Sequence, residues 1–349
     1  MSKVALGLSG GVDSSVAVYL LQQAGHEVVG IHMRLTPESG RDSQAADDAR
    51  KVAEHFGIAF HILDARDAFA HEVMQPFADA YLRGQTPNPC VRCNARIKFG
   101  LLWQEAQRLG CDKLATGHYV RILHDEQGDA LARAADPIKD QSYFLWGIPR
   151  AMLARTLCPL GDYSKDETRA MAASLGLITA EKKESQEICF IPGDDYVAFL
   201  TRTCPERLPG QGDFIDAEGA VIGHHQGAWR YTIGQRRGLG LALGYPAYVT
   251  ATDPIANTVS IGTGDALFAN GLIAEQVNFL CDAPPDGRAQ IKIRSRDRGT
   301  DGTWQFDGER LTVHFDAPVR AITPGQSVVL YDGARVIGGG IIQKAISII

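Results

Sequence analysis

The sequence predicts an α/β fold in which a parallel-sheet catalytic domain is followed by a small middle domain and a C-terminal β-barrel. Three observations carry this. Strand and helix signals alternate through roughly the first two hundred residues, the order a parallel sheet with helices on both faces requires. Beyond about Thr203, Gly, Pro and short alternating runs take over. Two Asp-Gly pairs, Asp307-Gly308 and Asp332-Gly333, then stand between short strand signals as hairpin turns. The expected divisions are 1–203, 204–271 and 272–349, because 349 residues exceed what one core usually serves.

Taken in order, Val4 to Leu8 is a short apolar run suited to a strand buried on both faces. A helix from about Ser14 to Gln23 leads into a second strand, Val28 to Met33. Ala46, Ala49, Val52, Ala53 and Phe56 recur at helical spacing before Gly57, a C-cap. Ala59 to Leu63 and Lys113 to Thr116 supply two more strands, and Ser164-Lys165-Asp166-Glu167 reads as a capping box. Ala247 to Thr252 and Val259 to Gly262 are short strands of the later part, and the barrel starts near Leu272.

Composition narrows the class. With 45% hydrophobic and 22% charged residues, the chain is ordinary globular protein. No apolar run reaches the roughly 18 residues that span a bilayer, and the N-terminal segment lacks the parts of a signal peptide. The expectation is a cytoplasmic protein with no membrane partner. Seven cysteines, an odd number in a long chain, point to free or reactive thiols and not to a disulfide framework. A net charge of −6 argues against indiscriminate nucleic-acid binding but leaves room for a local basic patch.

Ser9-Gly10-Gly11-Val12-Asp13-Ser14-Ser15 lies between the first strand and the first helix. Adjacent glycines let backbone approach a phosphate, and a helix N-terminus offers N–H donors. The lysine of a Walker loop is missing, and the next strand ends at His32-Met33 without the acidic residue of a dinucleotide site. The loop resembles the pyrophosphate loop, Ser-Gly-Gly-x-Asp-Ser, of the adenylate-forming ATP pyrophosphatases, which cleave ATP between its α- and β-phosphates.

Gly84-Gln85-Thr86-Pro87-Asn88-Pro89-Cys90-Val91-Arg92-Cys93-Asn94 carries a Cys-x-x-Cys, and Ser185-Gln186-Glu187-Ile188-Cys189-Phe190 stands far downstream. With Ala115 to Tyr119, Lys139 to Leu145 and Tyr231 to Gly238, these segments resemble the tRNA-specific 2-thiouridylase family over essentially the whole chain. The chemistry explains two separated thiols. The C2 carbonyl of uracil is a poor electrophile until adenylation turns its oxygen into part of AMP. The sulfur must then come from a carrier that lets it go, and a second thiol releases it by exchange. The resemblance implies Cys189 as persulfide carrier, Cys93 as nucleophile, and a transient Cys93–Cys189 disulfide. It also implies an adenine-nucleotide site for ATP with Mg²⁺, touched by Gly7, Leu8, Ser9, Gly10, Gly11, Val12, Asp13, Ser14, Met33 and Gly117. Asp13 would help hold Mg²⁺ or order the loop.

Cys90 stands where many relatives carry an acidic residue. With Cys93 it forms half a zinc site that nothing in the sequence completes. With Cys93 and Cys189 it could instead ligate an iron–sulfur cluster. Cys111, Cys158, Cys204 and Cys281 read as small buried hydrophobes. No resident metal site is assigned.

Lys292, Arg294, Arg296 and Arg298 alternate, and on a strand period two would set all four on one face to track phosphates. Arg230, Arg236 and Arg237 form a second basic cluster beside Trp229 and Tyr231. Taken alone, each is equally well a solvated charged face. The resemblance implies tRNA contacts at Asn88, Pro89, Cys90, His118, Lys139, Asp140, Gln141, Arg294 and Ser295. The family's target is the wobble uridine, position 34, of the tRNAs for lysine, glutamate and glutamine, with a persulfide sulfur donor protein upstream. A single-stranded loop eases the unstacking this needs. Two other readings stand beside it: an adenylating amide synthetase of the same superfamily, which needs neither Cys93 nor Cys189, and a non-catalytic RNA-binding protein.

Overall fold

The computed structural model describes residues 1–36, 40–182, 188–191, 193 and 195–347. Its first sheet holds five parallel strands in the order β3-β2-β1-β4-β7. In chain order these are β1 (Lys3–Gly7), β2 (Glu27–Arg34), β3 (Ala59–Asp64), β4 (Lys113–Ala115) and, after the antiparallel hairpin β5 (Val120–Asp125) and β6 (Gly128–Arg133), β7 (Thr156–Leu157). Strand pleat explains why β1 sits centrally. Val4 and Leu6 face a cluster with Ala17, Val18 and Leu21 of helix α1 (Val12–Gln23) and Ala49, Val52 and Ala53 of helix α2 (Gly40–Phe56). Ala5 faces the opposite cluster, with Phe99, Leu102 and Ala106. Helices therefore cover both faces, as the alternation predicts. Gly57 ends α2 at φ 63°, and Ser164 and Glu167 form the full capping box of the helix Lys165–Ser174.

The strand order reverses between β1 and β4. In such sheets ligands bind in the crevice at the carboxyl ends of the strands flanking the switch. The loop after β1 and the segment Thr116–His118 after β4 both open there.

A four-stranded sheet follows, in the order β10-β11-β8-β9, from β8 (Gly212–Ile215), β9 (Val221–His225), β10 (Tyr248–Asp253) and β11 (Thr258–Gly262). Its core is Phe214, Val249, Val259 and Ile261. Six further strands, β12 (Phe268–Phe279), β13 (Asp286–Lys292), β14 (Thr300–Phe306), β15 (Leu311–Arg320), β16 (Ser327–Asp332) and β17 (Arg335–Ser347), close into a barrel through the β12–β17 pairing. Trp304, Leu272, Val313 and Ile342 fill it. Both Asp-Gly pairs fall between paired antiparallel strands, as expected.

The barrel is joined to the catalytic unit. Its strand β17 pairs with β6, and Leu280, Val329, Tyr331 and Val336 share one core with Tyr143, Leu145, Trp146 and Leu153. Tyr143 donates its hydroxyl to the Ser327 carbonyl at 2.8 Å. Among the described residues, no helix is long and apolar enough to cross a membrane.

Candidate active site

The loop after β1 is held in shape by close packing against α2 and by its own serines. Gly10 has φ 71°, and a Cβ there would stand 2.3 Å from the Ala45 carbonyl oxygen, so only glycine fits between the loop and α2. Gly11 precedes α1 without a side-chain cap. Ser9 N–H donates to Ser14 Oγ at 3.2 Å, while Ser14 and Ser15 hydroxyls donate to the Gly11 carbonyl at 3.1 and 2.8 Å. Asp13 Oδ1 accepts from the Tyr119 hydroxyl and from Lys165 Nζ, each at 2.7 Å.

Gly117 abuts this loop. A Cβ on it would meet Ser14 N at 3.0 Å and Asp13 C at 3.2 Å. Its neighbour His118 is buried, with Nδ1 2.8 Å from Thr116 Oγ1 and Nε2 3.1 Å from Lys98 Nζ. Burial and the Lys98 ammonium hold its pKa well below the usual histidine value, so Nε2 is free of a proton and accepts from Lys98.

Lys98 leads to the thiols. Cys93 opens a π-helix, Cys93–Leu101, whose wider i→i+5 turn brings Lys98 nearer the Cys93 side, and the Lys98 ammonium acts on the Cys93 thiol electrostatically. In an α-helix the two would point about 140° apart. Asn88 caps the short helix Pro89–Arg92 by accepting from Cys90 N–H at 3.1 Å. Cys93 is buried in an apolar cluster with Phe190 and Ile191, the residues that follow Cys189. Cys90 and Cys189 are exposed. Desolvation by the protein packed around the two sulfurs raises the Cys93 and Cys90 thiols above the usual range, opposed by Lys98, although Cys90 keeps some surface in solvent. The Cys189 thiol is pushed up to about 12 by crowding from the surrounding protein, with the Cys93 and Cys90 charges adding and Lys98 opposing. The three thiols and Lys98 thus sit within electrostatic reach of one another. Met33, at the end of β2, packs against both this cluster and the sheet core.

Family models match the chain in three consecutive parts: a tRNA methyl transferase HUP domain over residues 2–193, a tRNA methyl transferase PRC-barrel domain over 197–263, and an aminomethyltransferase beta-barrel domain over 269–342. The tRNA-specific 2-thiouridylase MnmA of Clostridium acetobutylicum is 43% identical across 98% of this chain and 99% of its own length. The protein of that name from Moorella thermoacetica is 45% identical, across 98% and 100%. The chain belongs to the tRNA-specific 2-thiouridylase family. A solved 4-thiouridine synthetase–RNA complex with bound ATP overlaps at a TM-score of 0.39, with 20% identity over 59% of this chain and 51% of that one, which adds nothing further.

For a 2-thiouridylase chain, the remaining motif positions divide into two groups. Asn88, Pro89 and Cys90 form the capped turn that leads into Cys93, and His118 meets Lys98 of the same helical segment. Lys139, Asp140 and Gln141 form a turn that braces the fold: Asp140 accepts from the N–H groups of Ala134 and Ser142, and Gln141 accepts from Tyr119 N–H. The Asp140 carboxylate faces Lys292 of the barrel, close to the turn holding Arg294 and Ser295. Ser185, Gln186 and Glu187 lie outside the described residues.

The expected row of four cations on one strand is not there. Strand β13 ends at Lys292, and the chain turns because the Asp297 carboxylate collects the N–H groups of Ile293 and Gly299, the latter at φ 89°. Lys292 is buried beside the Tyr331 ring, and its ammonium donates to the Ser295 carbonyl. Arg294 donates to the Arg320 and Ala321 carbonyls. Of the second basic cluster, Arg230 stacks on Trp229 while Arg236 and Arg237 are exposed. Lys98, Lys165 and Lys182 escape a reading by motif. Only the π-register reveals the first, and the other two reach the phosphate loop from more than a hundred residues away.

Proposed function

We propose that the protein is a tRNA-uridine 2-sulfurtransferase that uses ATP to replace the C2 oxygen of the wobble uridine, position 34, of the lysine, glutamate and glutamine tRNAs with sulfur. The observation that carries this reading is the run from phosphate loop to thiols, by contact through Gly117, His118 and Lys98 and then by the field of the Lys98 ammonium on the cysteines. An amide-forming enzyme would have no use for the thiol end of that run.

In this reading the uridine C2 oxygen attacks the α-phosphorus of MgATP. The bond to the β-phosphate breaks, and pyrophosphate leaves over the N-terminus of α1, where backbone donors and the helix dipole oppose its charge. The terminal sulfur of a Cys189 persulfide attacks C2, and the C2–O bond breaks with AMP as leaving group. Cys93, having given its proton to solvent, attacks Cys189 Sγ as thiolate. The older S–S bond breaks, its electron pair passes to the sulfur now on uracil, and a Cys93–Cys189 disulfide remains. A thiol reductant reopens it, and a persulfide donor protein reloads Cys189. This cycle suits a reducing, cytoplasmic setting.

Mg²⁺ enters with ATP, since the Asp13 carboxylate is engaged by Tyr119 and Lys165 and is suited to ordering the loop. An iron–sulfur cluster on Cys90, Cys93 and Cys189 is not part of the proposal. Among the described residues, no three His, Cys, Asp or Glu side chains are gathered to hold a metal ion. Iron-free protein purified without oxygen should be fully active, and activity that tracks bound iron would contradict this.

The test supplies tRNA, ATP, Mg²⁺ and a persulfide source, then weighs the nucleosides. Uridine should gain about sixteen daltons, sulfur having replaced oxygen at the activated carbonyl. Cys93→Ser and Cys189→Ser should each abolish the gain while ATP binding survives. Thiolation by either variant at the native rate overturns the assignment.

A further inference from the structure

The phosphate loop carries no lysine of its own, yet the bond it helps to break leaves a growing charge on pyrophosphate. Backbone N–H groups and a helix terminus supply only partial positive charge, and a full cation placed where charge develops adds much more. Two lysines reach the loop from the far end of the domain. Lys165 is almost fully enclosed, and its ammonium meets Asp13 at 2.7 Å with Tyr119 sharing the same oxygen, so its role is internal.

Lys182 is placed differently. Its Nζ donates to the Gly10 carbonyl oxygen at 2.9 Å and to Asp48 Oδ2 at 2.7 Å, and 39% of its side chain remains exposed. The segment bearing it is docked on the loop independently, because buried Thr179 donates its hydroxyl to Ser15 Oγ at 3.1 Å and accepts from Lys182 N–H through its carbonyl. Gly10 cannot retreat, being wedged against the Ala45 carbonyl. The Lys182 ammonium is therefore held at the rim of the cradle by a neutral carbonyl and one carboxylate.

We propose that Lys182 is the cation the loop lacks, and that in the ATP complex its ammonium leaves the Gly10 carbonyl for the β- and γ-phosphate oxygens. The proposal deepens the ATP reading above and rests on it. Phosphate oxygens are charged acceptors and form stronger hydrogen bonds than a peptide carbonyl, so the exchange is downhill. Asp48 keeps one partner for Lys182 throughout and limits its movement.

The prediction separates phosphates from the rest of the nucleotide. Calorimetric titration of the full-length protein with MgATP, magnesium pyrophosphate and AMP should show Lys182→Met weakening ATP and pyrophosphate at least about tenfold, as loss of a charge-assisted bond implies, with AMP changed less than about twofold. Lys182→Arg should retain most of the ATP affinity. Equal weakening of AMP and pyrophosphate would mean that Lys182 only staples the loop, and an unchanged ATP affinity would mean that it does not act on the phosphates; either result overturns the proposal. Should Lys182→Met fail to fold, Lys182→Gln supports the same comparison. Wild-type protein that binds none of the three ligands would overturn the ATP reading itself.

Discussion

Asp13 shows how much a single side chain settles. One oxygen receives both Tyr119 and Lys165, and the Lys165 side chain is only 9% exposed. Asp13→Asn removes the Asp13 charge from beside that ammonium and should cost about 2 kcal/mol of stability in thermal or denaturant unfolding, the discounted value for a partly buried pair. The Mg²⁺ dependence of ATP binding should stay as it was, and a shifted Mg²⁺ optimum would return the residue to metal binding. Cys189 offers a pH test. The surrounding protein pushes its thiol up to about 12, so the charged, reactive form grows with pH throughout the neutral and mildly alkaline range. Peptide-resolved alkylation should rise about tenfold per pH unit up to at least pH 10, and a plateau near pH 8 would contradict the desolvation of this thiol by the surrounding protein. The loop serines and the two thiols were legible in the sequence because their motifs are local. Lys165 and Lys182 were not, since no spacing rule connects a loop to residues that tertiary packing delivers.

At the scale of elements, local signals held where local forces decide. The capping box at Ser164 formed in full, and Ser164→Ala should cost about 1 kcal/mol by unfolding titration. Hydrogen bonds from the Ser164 N–H and hydroxyl hold the Glu167 carboxyl below the usual range in the folded protein. Its contribution is therefore present at neutral pH and is lost as acid titrates it through that lowered value. The basic row after Ile291 failed for an equally local reason. Alternation alone marks a strand, but Asp297 competes for backbone N–H groups and Gly299 supplies a left-handed turn, so β13 stops at Lys292. The π-helix leaves no mark in the sequence, because its wider turn departs from the 3.6-residue period that apolar spacing reveals. Yet that register brings Lys98, which meets His118, within electrostatic reach of Cys93.

Across the whole molecule, the barrel and catalytic unit share a core in which Tyr143, Leu145 and Trp146 pack with Val329, Tyr331 and Val336. Asn278 adds hydrogen bonds to the carbonyls of Trp146 and Ile148. Scanning calorimetry should accordingly show these two units melting together, whereas two well-separated transitions would show that the shared core contributes little. The order of domains was readable from where composition changes. The sharing of strand β6 with the barrel was not, because a two-stranded extension leaves no mark in a sequence already rich in short strands. The proposed function requires the phosphate cradle and the distant cysteines to serve one crevice, and Gly117, His118 and Lys98 lie between them. The most direct measurement of this is a single turnover without reductant, starting from protein persulfidated at Cys189, with intact-peptide mass spectrometry of the products. One Cys93–Cys189 disulfide should appear for each thiouridine formed. Thiouridine accumulating while Cys93 stays a free thiol would contradict the account.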